Sequence, residues 1–478
     1  MKRISLYSQT LRAVSSLAII VGMAATATAD VTLPAVFSDN MVLQRDREIP
    51  VWGWADAGEK VDVSLADKQA TATADKDGRW SVRLDPLSAG GPHTLKVQGA
   101  NTLAVEEVLV GEVWLCSGQS NMAMQVRRAL NADEEAADAD YPQIRMFTVP
   151  RGGAAEPQQQ IKGSWAVCSP ETVGGFSATA YFFGRRLHQE LDVPVGLINS
   201  SVGGTPIDFW TSAEAQQAMF QEPKVAADGK RVGMTEPMAG AGNLYNAMIA
   251  PLAPYAIRGA IWYQGERNSR GEPAYLYRHQ LPAMIGNWRK LWGQGDFPFL
   301  FVQLPNFTKP QTEPVEPTGW VTVREGMAQT LRTTPNTGMA VTLDVGEAGD
   351  IHPKNKQAVG QRLARWALAT TYEKSLVPSG PLFESAKIEG GKVVIHFKHV
   401  GEGLVAQGGE PLSGFAVAGD DGKFVRAEAR IDGDTVVVSS SEIPQPAAAR
   451  YAWAPNPDCN LFNKDGLPAE PFRTDDWK

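Results

Sequence analysis

The sequence predicts an α/β fold, in which helices cover both faces of a parallel sheet and β-sandwich domains flank this layered core. The first observation is that strand-like apolar runs alternate with helical segments between about residues 106 and 372. The second is that residues 30–105 and 373–478 consist of short apolar runs separated by turn sequences. We therefore expect an N-terminal β-sandwich domain at 30–105, an α/β domain at 106–372 and a β-rich domain at 373–478, after a signal-like segment at 1–29.

The first 29 residues have the pattern of a cleavable secretory signal. Lys2 and Arg3 provide a basic start, and residues 13–25 form an apolar run that is too short for an ordinary membrane span. Residues 27–29 are Ala-Thr-Ala, which fits the small-residue rule for cleavage and makes Asp30 the expected mature N-terminus. This pattern predicts a periplasmic or secreted protein; an uncleaved anchor is the alternative.

Charge and cysteine content narrow the class of protein. Removing residues 1–29, which carry three basic residues and no acidic one, takes the formal net charge from −8 to −11. An acidic chain argues against a nucleic-acid partner, and no later apolar run is long enough for a membrane span. Cys116, Cys168 and Cys459 permit at most one disulfide, whose pairing stays open. No Cys or His cluster has metal-ligand spacing, so we expect no metal site.

The N-terminal β-sandwich is predicted from alternation. Residues 79–84, Arg-Trp-Ser-Val-Arg-Leu, alternate polar and apolar side chains, and residues 49–54 and 61–65 are further strand candidates. Turn sequences such as 75–78 separate them. This segment carries no catalytic constellation.

The α/β domain is predicted from five strand candidates and four principal helix candidates. The strand candidates are residues 105–116, 193–200, 257–264, 297–304 and 338–345. The helix candidates are residues 178–191, 275–292, 321–332 and 354–371. Functional groups of such a sheet gather at the carboxyl ends of its strands, and the polar motifs of this chain follow the predicted strands.

The first motif is Gly-Gln-Ser-Asn-Met at residues 118–122, directly after the strand candidate 105–116. Residues 122–130 are predicted to be helical, with Asn121 as a cap, so Ser120 lies at a strand-to-helix turn. Backbone N–H groups at such a turn can stabilise an oxyanion, which suits a nucleophile. The alternative is that Ser120 only caps the helix. The sequence around Ser120 is not the G-x-S-x-G elbow of α/β-hydrolases.

Two further motifs supply candidate oxyanion donors. Gly203 and Gly204 follow the strand candidate 193–200, and paired glycines let backbone N–H groups approach a ligand closely. After the next strand come Gln264 and Asn268, whose side-chain amides can donate hydrogen bonds. An ordinary turn is the alternative for the glycine pair. The carboxylate between the two amides, Glu266, is either a substrate contact or a structural group.

The last motif contains His352, between a predicted strand and a predicted helix. Pro353 suits the first turn of the helix that is expected to reach about residue 371. A histidine pKa near neutrality suits a general base, whereas the alternative is a histidine that only packs. Asp350 and Asp344 are the candidate orienting carboxylates, with Asp350 preferred.

These four motifs, in this order, resemble the sialate O-acetylesterase family of the SGNH (GDSL-like) hydrolases. The predicted core is thus an SGNH-hydrolase-like sheet. In that family Gly-Gln-Ser-Asn-Met carries the catalytic serine, and the last block supplies the catalytic histidine and aspartate. The resemblance implies that Ser120 is the nucleophile, His352 the base and Asp350 its orienting partner, without any cofactor. The commoner superfamily spacing is Asp-x-x-His, whereas this chain has Asp-x-His.

The resemblance also implies an oxyanion hole, which is formed by the N–H groups of Ser120 and Gly204 and by the Gln264 amide. Gly203 is the alternative to Gly204, and Asn268 is the alternative to Gln264. The family pattern around this amide is Trp-Tyr-Gln-Gly-Glu-Ser-Asn, and Arg267 replaces its serine here.

The expected activity is that of a carbohydrate O-acetylesterase acting by Ser-His-Asp catalysis on an acetylated carbohydrate. The sugar is left open between sialic acid and plant or hemicellulose glycans such as xylan or xyloglucan. One alternative is a non-catalytic carbohydrate-binding protein on a degenerate esterase scaffold. Another is a glycosidase that pairs Glu266 with Asp350. The sequence leaves the oligomeric state open.

Two loops are expected to border the site. Residues 211–243 are rich in Gly, Ala and polar residues and are interpreted as a covering loop. Residues 305–320 contain Phe307 and Trp320, which either stack on sugar rings or fill a gap under the loop.

Overall fold

The computed structural model describes residue 1 and residues 30–221, 236–271, 273–409 and 411–477. Residues 2–29 of the predicted signal segment and residues 222–235 of the predicted covering loop lie outside the described residues. Within the described residues, no helix has the length and apolar character needed to cross a membrane.

Short β-strands form the N-terminal part of the described chain. They are β1 (Val42–Gln44), β2 (Ile49–Trp54), β3 (Lys60–Leu65), β4 (Lys68–Thr73), β5 (Arg79–Leu84) and β6 (Gly90–Gln98). The strands β2 and β5 pair with each other, while β3 pairs with β4 and β6. The alternation that predicted β5 is observed, because Trp80, Val82 and Leu84 are buried and the residues between them are exposed.

One long strand, β7 (Thr102–Gly118), runs from this N-terminal sheet into the centre of the molecule. Its first part pairs with β6 and β1, and its second part pairs with strands of the central parallel sheet. The predicted domain boundary near residue 105 falls inside this strand. Residues 108–116 are buried and apolar apart from Gly111 and Glu112, which is the pattern of a strand that is covered on both faces.

The junction contains a buried carboxylate. Glu112 of β7 is fully buried and accepts hydrogen bonds from Arg45 and Arg258. Burial raises the pKa of the Glu112 carboxyl, but the bonds from Arg258 and Arg45 outweigh it and hold the pKa below its ordinary value. Two guanidinium groups therefore keep this carboxylate ionised where the N-terminal segment meets the central sheet.

The central sheet is completed by six strands. They are β8 (Tyr141–Thr148), β9 (Trp165–Cys168), β10 (Val195–Ser201), β11 (Gly259–Tyr263), β12 (Phe299–Val302) and β13 (Thr337–Ala340). Their order is β13-β12-β11-β7-β10-β8-β9, and all neighbours are parallel except β8 and β9. In this register Gly118, Ser201 and Tyr263 are neighbours, so β7, β10 and β11 end at one edge. The five predicted strands are confirmed.

Eight α-helices accompany the central sheet in the described part of the chain. They are α1 (Ser120–Ala123), α2 (Ala132–Ala137), α3 (Pro170–Val173), α4 (Ala178–Leu191), α5 (Ala213–Gln221), α6 (Pro273–Trp292), α7 (Gly319–Thr333) and α8 (Lys356–Thr370). Short 3-10 helices lie at Val126–Arg128, Ile207–Trp210 and Ala250–Leu252, and a π-helical turn lies at Tyr245–Ile249. The four principal predicted helices correspond to α4, α6, α7 and α8.

Helices cover both faces of the sheet, which confirms the predicted fold class. Trp114 and Cys116 of β7 pack in one cluster with α4 and α8, and Leu115 packs in another with α6 and α7. Side chains of a strand alternate between faces, so one strand contributes to both cores.

Three local predictions are wrong. The segment 122–130 is not one helix, because α1 ends at Ala123 and a separate 3-10 helix follows. Pro353 does not start α8; Asn355 caps this helix by accepting a hydrogen bond from the Ala358 N–H. The stretch 211–243 is not all loop, since it contains α5.

The C-terminal part is rich in β-strands, as predicted. They are β14 (Leu382–Glu389), β15 (Lys392–Lys398), β16 (Leu404–Ala406), β17 (Phe415–Ala418), β18 (Val425–Arg426), β19 (Glu428–Asp432), β20 (Thr435–Ser439), β21 (Ala448–Tyr451), β22 (Leu461–Asn463) and β23 (Phe472–Arg473). They form sheets β14-β15-β20-β19, β18-β17-β21-β23 and β16-β22. All three cysteines are among the described residues, and each is a free thiol.

Candidate active site

Ser120 lies at the carboxyl end of β7, the central strand of the parallel sheet. Gly118, two residues earlier, has a φ of +142°, and a Cβ atom added to it would lie 2.1 Å from the Tyr263 carbonyl oxygen. Glycine is therefore required where the chain leaves the sheet. Ser120 then begins the short helix α1 and is partly buried.

His352 meets Ser120 from the loop between β13 and α8. Its Nε2 atom lies 2.8 Å from Ser120 Oγ, which is hydrogen-bond distance. The two residues are far apart in the sequence, and the structure brings them together as the sequence predicted for a nucleophile and its base. The 2.8 Å separation allows proton transfer between them without rearrangement.

Asp350 is the carboxylate beside this imidazole. Its Oδ1 accepts a hydrogen bond from the His352 backbone N–H at 2.8 Å and lies 3.5 Å from His352 Nδ1. The contact to the ring is long for a hydrogen bond, and the Asp350 side chain is 47% exposed. Asp350 thus orients the loop through the backbone and acts on the ring mainly through its charge.

Asp344, the alternative orienting residue, has a different partner. Its two carboxylate oxygens each accept a hydrogen bond from Arg362, at 2.6 Å for each pair. This bidentate pair with a guanidinium occupies both oxygens of the Asp344 carboxylate. The geometry therefore favours Asp350 over Asp344.

Several groups set the pKa of His352. Burial lowers it most, the nearby charge of Asp350 raises it, and the charges of Lys356 and Arg128 lower it. The net result is a pKa below 6.5, the ordinary value for histidine. His352 is therefore neutral, and able to accept a proton, over a wider pH range than a solvent-exposed histidine.

The glycine pair after β10 faces the nucleophile. A Cβ atom added to Gly203 would lie 3.3 Å from Ser120 Cβ, whereas Gly204 has a φ of +75° and open space around it. Neither N–H group donates a hydrogen bond to another of the described residues. Both N–H groups are thus available to an oxygen atom of a ligand near Ser120.

Gln264 follows β11 at the same edge, but its amide is occupied within the protein. Gln264 is fully buried, and its Nε2 donates to Gln119 Oε1, the Thr205 carbonyl oxygen and Asn268 Oδ1. An amide has two N–H donors, so three internal acceptors leave none for a substrate oxygen. In this arrangement Gln264 does not have the geometry of the predicted oxyanion donor.

Asn268, the alternative donor, is likewise engaged. It is buried, its Oδ1 accepts from the Ile207 N–H as well as from Gln264, and its Nδ2 donates to Gln280 Oε1. The two amides hold the polypeptide next to Ser120 and next to Gly204 instead of facing a ligand.

Sequence reasoning missed a buried network behind the Ser120–His352 pair. Asn121 is fully buried and joins Glu266 on one side to Lys356 on the other. Asn121 was predicted to cap a helix, and no pattern in the sequence marked Lys356, because its side-chain partner Asn121 lies 235 positions away. Glu266 is 4% exposed and accepts a hydrogen bond from Asn121, which favours the structural interpretation over a substrate contact.

The aromatic residues of the segment 305–320 fill space under the loop. Trp320 is buried and donates from Nε1 to the Pro305 carbonyl oxygen, and its ring centroid lies 5.2 Å from that of Phe307. Of the two interpretations, packing is the one observed for Trp320.

Comparison with known proteins connects this site to a family. Residues 110–369 match the family described as "Carbohydrate esterase, sialic acid-specific acetylesterase". The chain is 32% identical to the sialate O-acetylesterase of Rattus norvegicus, with 92% of this chain and 93% of that protein covered. Its identity to the human sialate O-acetylesterase is also 32%, with 91% of each chain covered.

A solved structure agrees in both sequence and architecture. A carbohydrate acetylesterase from Xanthomonas citri is 41% identical, with a TM-score of 0.86. The match covers 94% of this chain and all of that one. The similarity thus extends over the flanking β-rich parts as well as the central sheet.

Proposed function

The chain belongs to the sialic acid-specific acetylesterase family of carbohydrate esterases, and we propose that Ser120 and His352 carry out its reaction. It is a carbohydrate O-acetylesterase, a carboxylic ester hydrolase that releases acetate from an acetylated sugar. The observation that carries the residue assignment is the 2.8 Å separation of His352 Nε2 and Ser120 Oγ. This separation is the geometry that an activated serine needs.

The reaction proceeds in two halves. Ser120 Oγ attacks the acetyl carbonyl carbon while His352 Nε2 takes the serine proton, which gives a tetrahedral intermediate. The bond to the sugar oxygen then breaks, and His352 returns its proton to that oxygen, so the deacetylated sugar leaves and an acetyl-serine remains. A water molecule then attacks the acetyl carbon while His352 Nε2 takes one of its protons. The bond between that carbon and Ser120 Oγ breaks, and His352 returns the proton to Oγ. Acetic acid leaves and ionises to acetate in solution.

The negative charge on the former carbonyl oxygen is stabilised by backbone N–H groups. We assign this role to the N–H of Ser120 and the N–H of Gly204, with Gly203 as the alternative donor. Gln264 supports them from behind, because it bonds to Gln119, which precedes Ser120, and to Thr205, which follows Gly204. It holds the two donor loops at a constant distance.

Asp350 favours the imidazolium form of His352 during each proton transfer. Its carboxylate lies 3.5 Å from Nδ1 of the ring, and its bond to the His352 backbone N–H fixes the turn on which the ring stands. Charge attraction across 3.5 Å in a half-exposed position is a modest effect, so Asp350 contributes less than a carboxylate bonded tightly within the protein.

The geometry disfavours a glycosidase. Glu266 is 4% exposed and bonded to Asn121, so it has no access to a glycosidic oxygen. A pair of acids flanking one bond is required for that chemistry. The reaction assigned to Ser120 and His352 leaves no task for such a pair.

A serine-directed organophosphate tests the residue assignment. The probe should attach to Ser120, and labelling should disappear in Ser120→Ala and slow greatly in His352→Ala, as mass spectrometry of the peptide measures. Labelling at another serine, or undiminished labelling in Ser120→Ala, contradicts the proposal.

The sugar substrate and the location are also proposed. The family description and the relatives favour acetylated sialic acid, and acetylated xylan and xyloglucan are the comparison substrates. Acetate release from a panel of these sugars identifies the preferred one. Residues 1–29 are proposed to direct export to the periplasm or medium, and an N-terminus at Asp30 in the exported protein tests this assignment.

A further inference from the structure

The buried side chains of Asn121, Glu266 and Lys356 lie immediately behind the reacting pair, and the reaction assigned above does not use them. Their exposed fractions are 0%, 4% and 0%. Two of them, Glu266 and Lys356, carry ionisable groups, and burying a charge is costly unless it is paired and hydrogen-bonded.

Asn121 connects the nucleophile to the loop of the base. It directly follows Ser120, and its Nδ2 donates at 2.9 Å to the carbonyl oxygen of Ile351, the residue before His352. The same Nδ2 also donates to Oε1 of Glu266, which lies in the loop after β11. One amide thus joins the element that carries Ser120 to the element that carries His352.

Lys356 holds the other side of His352. Its Nζ donates at 2.7 Å to the carbonyl oxygen of Pro353, the residue after His352, and at 2.6 Å to Asn121 Oδ1. Both backbone carbonyls that flank His352 are therefore bonded to one connected set of side chains. The orientation of Asn121 fits the charges, since its donor faces the carboxylate and its acceptor faces the ammonium.

From these contacts we propose that Asn121, Glu266 and Lys356 form a positioning network that fixes the imidazole of His352 in register with Ser120 Oγ. The proposal rests on the assignment of Ser120 and His352 as the reacting pair. A misplacement of about 1 Å in such a pair can cost on the order of 10²-fold in rate. Lys356 is the key member, because it bonds to both the loop of His352 and the side chain next to Ser120.

Lys356 also acts on His352 through its charge. Burial lowers the pKa of the Lys356 ammonium to about 7, while Glu266, Glu347 and Asp350 favour its charged form. Below that pH Lys356 is a cation, and it lowers the pKa of His352, as Arg128 does. Replacing Lys356 by a neutral residue should therefore raise the pKa of His352.

The first test is Lys356→Met, which keeps an unbranched side chain one heavy atom shorter and removes its donors and charge. We expect kcat on an aryl acetate to fall on the order of 10²-fold with KM nearly unchanged. The acidic limb of the kcat/KM profile should move to higher pH, and organophosphate attachment to Ser120 should slow in parallel with kcat. Lys354→Met, which removes an exposed lysine from the same loop, is the matched control and should behave as the wild type.

The second test is Asn121→Ala, alone and combined with Lys356→Met. Both residues act through the same attachment of the His352 loop, so the double variant should lose little more activity than the worse single variant. If Lys356→Met shows no cooperative thermal melt, it is not folded and cannot test the proposal. Asn121→Ala then takes its place, with the same expectation of a lower kcat and a nearly unchanged KM.

A kcat of Lys356→Met within about threefold of the wild type, with an unmoved acidic limb, overturns the proposal. So does a lower melting temperature with unchanged kcat, which would show a purely structural role. Failure of the underlying assignment looks different, because Ser120→Ala would then retain its activity and the organophosphate would not attach to Ser120.

Discussion

Replacing Gln264 by methionine distinguishes a supporting amide from a direct oxyanion donor. Methionine fills nearly the same volume but cannot donate to Gln119, Thr205 or Asn268. Two of these acceptors keep other donors, since Arg267 N–H also bonds to Gln119 Oε1 and Ile207 N–H also bonds to Asn268 Oδ1. The Thr205 carbonyl oxygen has no other hydrogen-bond donor among the described residues.

The hydrogen bonds that Gln264→Met loses determine the expected loss of stability. A buried carbonyl left without a donor costs about 1–3 kcal/mol, and each lost hydrogen bond contributes about 1 kcal/mol. The Gln264 Oε1 atom is itself buried without a partner, so its removal offsets part of that cost. We therefore expect the free energy of unfolding to fall by about 2 kcal/mol, as a urea titration measures.

The kinetics of the same variant complete the test. Loosened donor loops should reduce kcat about tenfold, whereas loss of a direct oxyanion donor costs roughly 10²- to 10³-fold. Gln303→Met is the matched control, because Gln303 is fully buried and follows β12 as Gln264 follows β11, but its amide contacts neither donor loop. Unchanged stability together with a 10²- to 10³-fold loss of kcat would refute the supporting role and restore the direct one.

Further predictions concern the other members of the site. Gly203→Ala should place a methyl group 3.3 Å from Ser120 Cβ and lower kcat at least tenfold with little change in the circular dichroism spectrum; unchanged kcat would show that this glycine does not contact the nucleophile closely. Asp350→Asn should reduce kcat, while Asp344→Asn should mainly reduce thermal stability because it breaks a bidentate ion pair, and the reverse ranking would transfer the orienting role to Asp344. The acidic limb of kcat/KM should lie below pH 6.5, since burial lowers the pKa of His352 and rate is lost only as the pH falls through that lowered value. In Asp350→Asn the acidic limb should move to still lower pH, because the anion that raises the pKa of His352 is gone. An acidic limb above pH 6.5 in the wild type would contradict the assignment of His352.

Stability against acid should depend on Glu112. The pKa of this carboxyl is lower in the folded protein than in the unfolded chain, so its contribution is complete above about pH 4.5 and is lost as the pH falls through the lowered value. Glu112→Gln should therefore show a smaller loss of melting temperature between pH 5 and pH 3 than the wild type. An equal loss would place the acid-sensitive group elsewhere.

The parts that sequence predicts well are those that depend on local pattern. The strand β7 follows from a run of apolar and β-branched residues, and the helices α4 and α8 follow from the alternation of strand-like and helical segments. Ser120 and His352 follow from short motifs. Helix starts were less accurate. Pro353 fits a first helical turn by its backbone preference, yet Asn355 caps α8 two residues later by bonding to the Ala358 N–H.

The parts that sequence does not predict are contacts between distant segments. Gln264 was assigned as a free donor because its residue type permits this, and only the fold shows that Gln119, Thr205 and Asn268 occupy its amide. Lys356 is a lysine near the start of a helix, which ordinarily lies in solvent. In the fold it is buried and donates to Asn121, which is 235 positions away in the chain.

Steady-state hydrolysis of a simple aryl acetate by Ser120→Ala tests the assignment of the nucleophile most directly. We expect an intact fold by thermal melt and a kcat reduced by several orders of magnitude, because no other group replaces the nucleophile that His352 activates. A residual rate close to that of the wild type would contradict the assignment of Ser120.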